Sequence, residues 1–430
     1  MMEELIVIMD VIQVHVEYLI KNRSCYIYVV VSLIFFSCSN SSSKNRHPSS
    51  EKLAQFEPLD YALDIQSDAY LSAEELVKDF NQENILHSFK SKQTDSLSIQ
   101  IYDVQEIRID NAGNLYVLKQ QANTILVYSP VGEFEYSIGR GGNGPGEFSS
   151  MRTFEFNSDF SELYVLDRHE IDVFKINDGN RFEPSNTIIH RLNMSYDLCM
   201  LENKLFIQGF QYVKADSTSR KEGAFANIQT TKPVHEFDMN TGEIVNSFGQ
   251  LYTSYSGSPV LDAMLSNTMM SCDEQAGTIV TVLKHFAYLF GYSVDGKLKW
   301  TSRIAKFKYS GIEEVNINSP NAGIRFGATN NQSYNHLFPL QNYKGGFSVI
   351  QFGNQFTSQS LEKLINSKNT VSDMKPHTVF INSSNGELFY SDSFKSRYMD
   401  ANQNKAVLLT EEETNFNSFT LPKVIIYEID

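Results

Sequence analysis

From about residue 97 onward, apolar and polar positions alternate with a period of two, and the alternation breaks at Asn-Gly, Asp-Gly and Gly-Asn pairs. Period two sends successive side chains to opposite faces of a strand, and these pairs supply the positive φ that tight hairpins need. Ahead of this region, Leu71–Phe80 carries helical spacing, and Ser72 and Glu75 stand where a capping box requires them. The pattern predicts one short helix followed by a long all-β region.

The strands repeat. Ile107–Gly139 and Phe154–Asn177 both read strand, Asn/Asp-rich turn, Leu-Tyr-Val-Leu strand, polar gap, then an Ile-x-Val-Tyr/Phe strand, and Leu115 and Leu163 stand 48 residues apart. Four strands at that spacing are the signature of a propeller blade. Lys204–Phe210 with Val234–Gly249 reads as a third copy and Gly277–Ile304 as a fourth; Gly345–Gly353 and His377–Phe394 mark a fifth and a sixth. The expected fold is an all-β, six-bladed β-propeller of four-stranded antiparallel blades over 97–430. Either the final strand, Val424–Ile429, or one near Leu97–Tyr102 is expected to close it, because a ring must leave no sheet edge open.

The N-terminus sets the compartment. Cys25–Phe36 is an apolar run preceded by Lys21 and Arg23, too short to span a bilayer comfortably and of the length of a signal-peptide core. It ends in Phe35-Phe36-Ser37-Cys38, which resembles the lipobox of bacterial lipoproteins and makes Cys38 the expected lipidation site, although the two Phe depart from the usual pattern. Glu3, Glu4, Asp10 and Glu17 do not suit a signal peptide, so the true start is expected near Leu19 or Ile20. The expected organisation is a signal segment over 1–37, a lipidated Ser/Asn-rich tether over 38–60, and an extension with the short helix over 61–96, ahead of the propeller. The expected location is the cell envelope, anchored at the outer membrane and facing the periplasm rather than the surface, since Ser39–Lys44 carries no acids. Two cysteines remain in the mature chain, Cys199 and Cys272, which either pair in an oxidising compartment or stay as buried thiols.

Composition adds little to this except an exclusion. The chain is 41% hydrophobic with 30 Phe and 22 Tyr against one Trp, as strand-rich proteins are, and its net charge is −15 with no basic stripe. A nucleic-acid backbone is a poor partner for such a surface.

Gly139-Arg140-Gly141-Gly142-Asn143-Gly144-Pro145-Gly146-Glu147-Phe148 follows a strand ending in Ser137-Ile138. This segment resembles the glycine-rich signature of the six-bladed β-propeller lipoproteins of Gram-negative gut bacteria, relatives of NHL-repeat propellers, and the resemblance covers most of the chain after the tether. It implies that the loop crosses from an outer strand to the innermost strand of the next blade. It also implies that Arg140, Asn143 and Glu147 lie at the channel face where ligands enter such propellers, with the purely structural connection as the alternative.

Eight histidines remain after the tether begins, but none forms HExxH or a paired ligand spacing, and no GxSxG or CxxC motif is present. His169, in the turn Asp167-Arg168-His169 after a strand, is the best local candidate for a ligand-binding residue, against an ordinary surface turn. The expected function is non-catalytic recognition of a glycan, peptide or envelope protein by a monomeric propeller, with aromatic loops such as Tyr252–Tyr255 and Tyr334–His336 as contributors. The rival is a hydrolase or lyase using calcium or zinc held by residues scattered over several blades.

Overall fold

In the computed structural model the described residues are 104–211, 232–251 and 264–304, with the segments 62–64, 93–97, 311–315, 323–327, 334–343, 346–355, 377–391, 396–402, 405–410 and 423–428. The signal segment, Cys38, the 71–80 helix and Tyr252–Tyr255 lie outside them. Among the described residues no helix is long and apolar enough to cross a membrane.

Among the described residues six sheets of four or five strands succeed one another along the chain, beside three two-stranded ones. Blade 1 is Glu106–Ile109, Leu115–Lys119, Thr124–Tyr128 and Phe134–Ile138. Blade 2 is Thr153–Phe156, Glu162–Leu166, Glu170–Ile176 and Phe182–Ile189, and blade 3 is Leu198–Leu201, Lys204–Gln208, Val234–Phe237 and Ile244–Phe248. Blade 4 is Thr268–Asp273, Thr278–Leu283, Tyr288–Tyr292 and Leu298–Arg303, with Ala62–Asp64 added in parallel to its outer strand. The strands read in the first four copies are all present, and the structure adds three that were not read: the outer strand of blade 2, Phe182–Ile189, and the inner strands of blades 3 and 4, Leu198–Leu201 and Thr268–Asp273.

The last two blades correct the sequence reading. Phe347–Gln355 and His377–Asn382, expected in separate blades, pair with each other from Phe347↔Asn382 to Phe352↔His377. Both belong to blade 5, whose inner strand is split into Tyr334–Leu337 and Gln341–Tyr343 and whose outer strand is Leu388–Ser391. The insertion between second and third strands makes one blade read as two. Blade 6 is Arg397–Ala401, Lys405–Thr410 and Lys423–Glu428, and its fourth strand is Gln93–Leu97 from the other end of the propeller sequence. The two closing strands posed as alternatives are neighbours, with Leu97 opposite Val424 and Gln93 opposite Tyr427.

Apolar side chains on the blade faces seal the ring. Ile107, Ile109 and Val117 of blade 1 pack with Met399, Val407 and Ile426 of blade 6. On its other face blade 1 gives Tyr116, Leu118 and Ile125 to a core shared with Phe154, Phe156 and Leu163 of blade 2. One continuous core joins blades 2, 3 and 4, another joins 4 and 5, and a last one joins 5 and 6. Trp300 of blade 4 is fully buried in the fourth of these interfaces and donates its indole N–H to the Ser383 carbonyl of blade 5 at 2.8 Å. Such a ring charges each blade two apolar faces, which is why the alternation is so often overridden by continuous apolar runs such as Thr278–Leu283.

Candidate functional site

The glycine-rich segment connects the outer strand of blade 1 to the inner strand of blade 2, as its composition implies. Glu147 shapes it. One carboxylate oxygen accepts Arg140 Nη2 at 2.5 Å and Nε at 2.8 Å, and the other accepts the backbone N–H of Asn143 and Gly144 at 3.1 and 3.0 Å. These bonds hold the Glu147 carboxyl below its ordinary range, the Gly144 N–H contributing most. Gly139 is sterically required, since it has φ +73° and a Cβ there would lie 2.1 Å from the Phe148 ring, while a Cβ on Gly142 would lie 2.1 Å from the Glu147 carboxylate and displace it. The Arg140 side chain is 80% exposed.

The turn bearing His169 packs on the same stretch. Asp167, 1% exposed, accepts Ser149 N–H at 2.7 Å and Ser150 N–H at 2.6 Å, just beyond the glycine loop. From blade 1, Asn123 accepts Met151 N–H at 3.0 Å. His169 itself is exposed, with its ring 6.4 Å from that of His190. Arg140, Asn143, Glu147 and His169 are thus gathered at one end of blades 1 and 2, and Asp167 is the buried residue that brings the turn to the loop. Tyr334–His336 falls in the inner strand of blade 5.

The channel axis holds a cluster that the sequence did not announce. Arg108, on the inner strand of blade 1, is buried against Glu106 at 2.7 Å, Glu155 of blade 2 at 3.4 Å and Asp400 of blade 6 at 3.9 Å. Thr153 Oγ1 donates to Glu106 at 2.7 Å. Asp400 also accepts Ile109 N–H at 2.9 Å, and Asp197 of blade 3 accepts Met270 N–H of blade 4 at 2.8 Å, so these acids tie neighbouring inner strands by main-chain N–H groups. Burial opposes the Arg108 charge, but the carboxylates outweigh it, Glu155 foremost, and the guanidinium is held above its ordinary value. Four acids facing one buried arginine cannot all ionise cheaply. Burial pushes Asp197 up to about 8 against the Met270 hydrogen bond, and Asp400 up to about 7 against Arg108. The only signal in the sequence is single charges within apolar inner strands, as in Glu106-Ile107-Arg108-Ile109 and Arg397-Tyr398-Met399-Asp400-Ala401. Among the described residues no group of three or more His, Cys, Asp or Glu is arranged to hold a metal ion.

The same groups predict how stability follows pH. His190 and His235 are pushed down to about 4, and His285 to about 3, chiefly by burial. A histidine with a depressed folded pKa leaves the unfolded chain binding more protons, so stability is lost as pH falls below about 6.5. An acid with a raised folded pKa does the opposite, because the folded chain keeps the proton, and stability falls as pH rises toward the folded value. With the histidines already neutral, Asp197 and Asp400 dominate above about pH 6.5. Urea denaturation is expected to show maximal stability near pH 6.5 and a fall on the order of 2 kcal/mol by pH 8. Asp197→Asn should flatten that alkaline arm; an unchanged arm would remove the assignment.

Residues 51–254 match the model of the family DUF5128, described as a 6-bladed beta-propeller. No curated protein sequence matches. Among solved structures, a Bacteroides fragilis protein assigned to the exported class is similar at 8% identity and a TM-score of 0.46, covering 78% of this chain and 93% of its own. A DUF4221-family member from Bacteroides vulgatus follows at 9% identity and 0.45, covering 77% of this chain and 94% of its own. The PQQ-bound aldose sugar dehydrogenase of Streptomyces coelicolor has 9% identity and 0.44, covering 79% and 98%. With six four-stranded units arranged as blades and a family match to the same architecture, the chain is an all-β, six-bladed propeller.

Proposed function

We propose that this propeller is an exported, lipid-anchored recognition protein that binds its ligand without chemistry at one end of the ring. The observation that carries this reading is the uneven length of the connections. At one end, first strands meet second strands and third strands meet fourth through short turns such as 110–114, 129–133, 157–161, 202–203, 238–243 and 293–297. At the opposite end 120–123, 167–169 and 284–287 are as short, but five connections, 209–233, 249–267, 304–333, 356–376 and 411–422, are far longer, and 304–333 includes a hairpin of its own, Gly311–Val315 with Gly323–Gly327. Rigid scaffolds that place long segments on one face use that face for binding. Arg140, Asn143 and His169 stand at this end, and Glu147 acts by fixing the loop that presents them.

Export is supported by the bond between Cys199 and Cys272, since structural disulfides persist in oxidising compartments. The anchor is assigned to Cys38 and the partner to the glycan, peptide and envelope-protein classes. Cys38→Ala is expected to shift the native protein from the membrane fraction to the soluble one, and wild-type protein found wholly soluble would remove the anchor. Thermal-shift screening of glycan fragments and peptides, with calcium and zinc in separate arms, is expected to find stabilisation by an organic ligand and none by either ion. Metal-dependent turnover of any screened compound would overturn the non-catalytic reading.

A further inference from the structure

At the end of the ring that carries the long connections, three connections meet on blade 2: 139–152, 167–169 and 190–197. They are bonded to one another. Asp167 accepts Ser149 and Ser150 N–H at 2.7 and 2.6 Å, Arg152 N–H donates to Leu166 at 2.8 Å, and His190 N–H donates to His169 at 3.0 Å. The Arg152 guanidinium lies 5.2 Å from the centre of the Tyr196 ring, which joins the first connection to the third. The three form a single surface.

In a chain of net charge −15 this surface is basic. The three connections hold four arginines, Arg140, Arg152, Arg168 and Arg191, and no lysine. Their acids offset little of that charge. Asp197 accepts the N–H groups of Leu198 and Met270 and, pushed up to about 8 by burial, is mostly uncharged at pH 7. Asp167 is buried on main-chain donors, and Glu147 is bonded to Arg140. Glu170, which opens the next strand, is partly buried. Arg152, Arg168 and Arg191 have no carboxylate or carbonyl partner for their guanidinium groups among the described residues, and Arg168, His169 and Arg191 are exposed. At the opposite end of blades 1 to 3 the short turns 110–114, 129–133, 157–161, 177–181, 202–203 and 238–243 hold seven acids against one cation, Arg181. These blades are therefore polarised along the channel.

The kind of partner follows from what stands beside the arginines. Tyr196 is 44% exposed, and Ile189, the residue before His190, is 68% exposed. Arginine with tyrosine and aliphatic side chains, and without lysine, is the composition of protein interfaces and of the residues that dominate their energy. A guanidinium forks onto a carboxylate while its flat face packs against carbon, which an ammonium does not do. A lipid surface asks only for positive charge, and sugar hydroxyls make no use of Ile189. Repulsion from the acidic remainder of the chain is screened beyond about 8 Å at physiological salt, so the local arginines govern the contact.

We propose that this end of blade 2 docks an acidic protein segment, with Arg152, Arg168 and Arg191 pairing with its Asp and Glu side chains and Tyr196 and Ile189 covering its apolar ones. The proposal rests on the recognition reading above and names the partner class and the surface for it. The probe is a fluorescent peptide of four Glu-Glu-Leu-Glu repeats, titrated with the full protein and followed by anisotropy. Binding is expected at low ionic strength and should fall as salt is raised. Arg152→Gln, Arg168→Gln and Arg191→Gln combined should weaken it about tenfold, a few-fold for each exposed pair. The control combines Lys175→Gln, Arg181→Gln and Lys297→Gln at the opposite end, which removes the same charge and should leave the affinity unchanged. Ile189→Ser, which changes no charge, should weaken binding a few-fold. Unaltered melting temperatures separate lost contacts from lost fold. No binding of the peptide, or equal losses in the two triple variants, would overturn the proposal. Tighter binding of phosphatidylglycerol vesicles or of polygalacturonate than of the peptide, lost in the first triple variant, would overturn the protein partner and leave recognition at this end standing.

Discussion

Arg108→Leu is expected to cost about 3–5 kcal/mol of stability, the penalty for leaving buried charge without its counter-charge. The substitution leaves Glu106, Glu155 and Asp400 around a position with no cation, while Thr153 compensates Glu106 alone. Equilibrium urea denaturation with an unchanged slope measures the loss. A double variant, Arg108→Leu with Glu155→Leu, should recover part of it, because removing both partners leaves fewer unsatisfied groups than removing one. A loss below about 1 kcal/mol, the range of exposed ion pairs, would show that water reaches the axis and that the cluster is not desolvated.

Removing the disulfide is expected to cost about 4 kcal/mol, from the entropy that a closed loop takes from the unfolded chain. The bond joins Cys199 and Cys272 across a sequence separation of 73 and fastens the inner strands of blades 3 and 4. Cys199→Ser with Cys272→Ser, or the wild type under reductant, should unfold at lower urea. An unchanged midpoint in both would mean that the packing of Leu198, Met270 and Ile279 holds these strands without it.

Blades 1 and 2 were the most legible because their turns are tight and their strands alternate, so that Leu115–Leu118 and Leu163–Leu166 announce equivalent second strands, whereas blades 3 and 4 were read without their inner strands, Leu198–Leu201 and Thr268–Asp273. Blades 5 and 6 were not. Residues 356–376 separate two paired strands of one blade, and Arg397–Ala401 and Lys405–Thr410 carry too little period-two contrast to stand out. Closure was posed as a choice because pairing between residues 97 and 424 leaves no local trace. The shape of the glycine loop was legible, since glycine density reports backbone geometry directly. The axial cluster was not, because each blade contributes one or two residues whose convergence depends on the closed ring. The disulfide shows the same limit: a spacing of 73 residues carries no distance.

The strand Gln93–Leu97 has a consequence for the order in which the molecule can assemble. It precedes blade 1 in the chain but pairs with Lys423–Glu428, so the sixth blade remains incomplete until that last strand has been synthesised. Blades 1, 2 and 4 consist of hairpins between near neighbours and need only short loops to close, and blade 3 needs one longer loop, 209–233. The sixth blade must join positions more than 300 residues apart, and loop-closure entropy and high contact order make that the slow step. Until it happens, blades 1 and 6 expose their facing apolar surfaces, including Ile107, Ile109, Val407 and Ile426, to whatever else is present. The interval between synthesis of blade 1 and arrival of Lys423–Glu428 is therefore the period in which this chain is most open to aggregation and most in need of a chaperone.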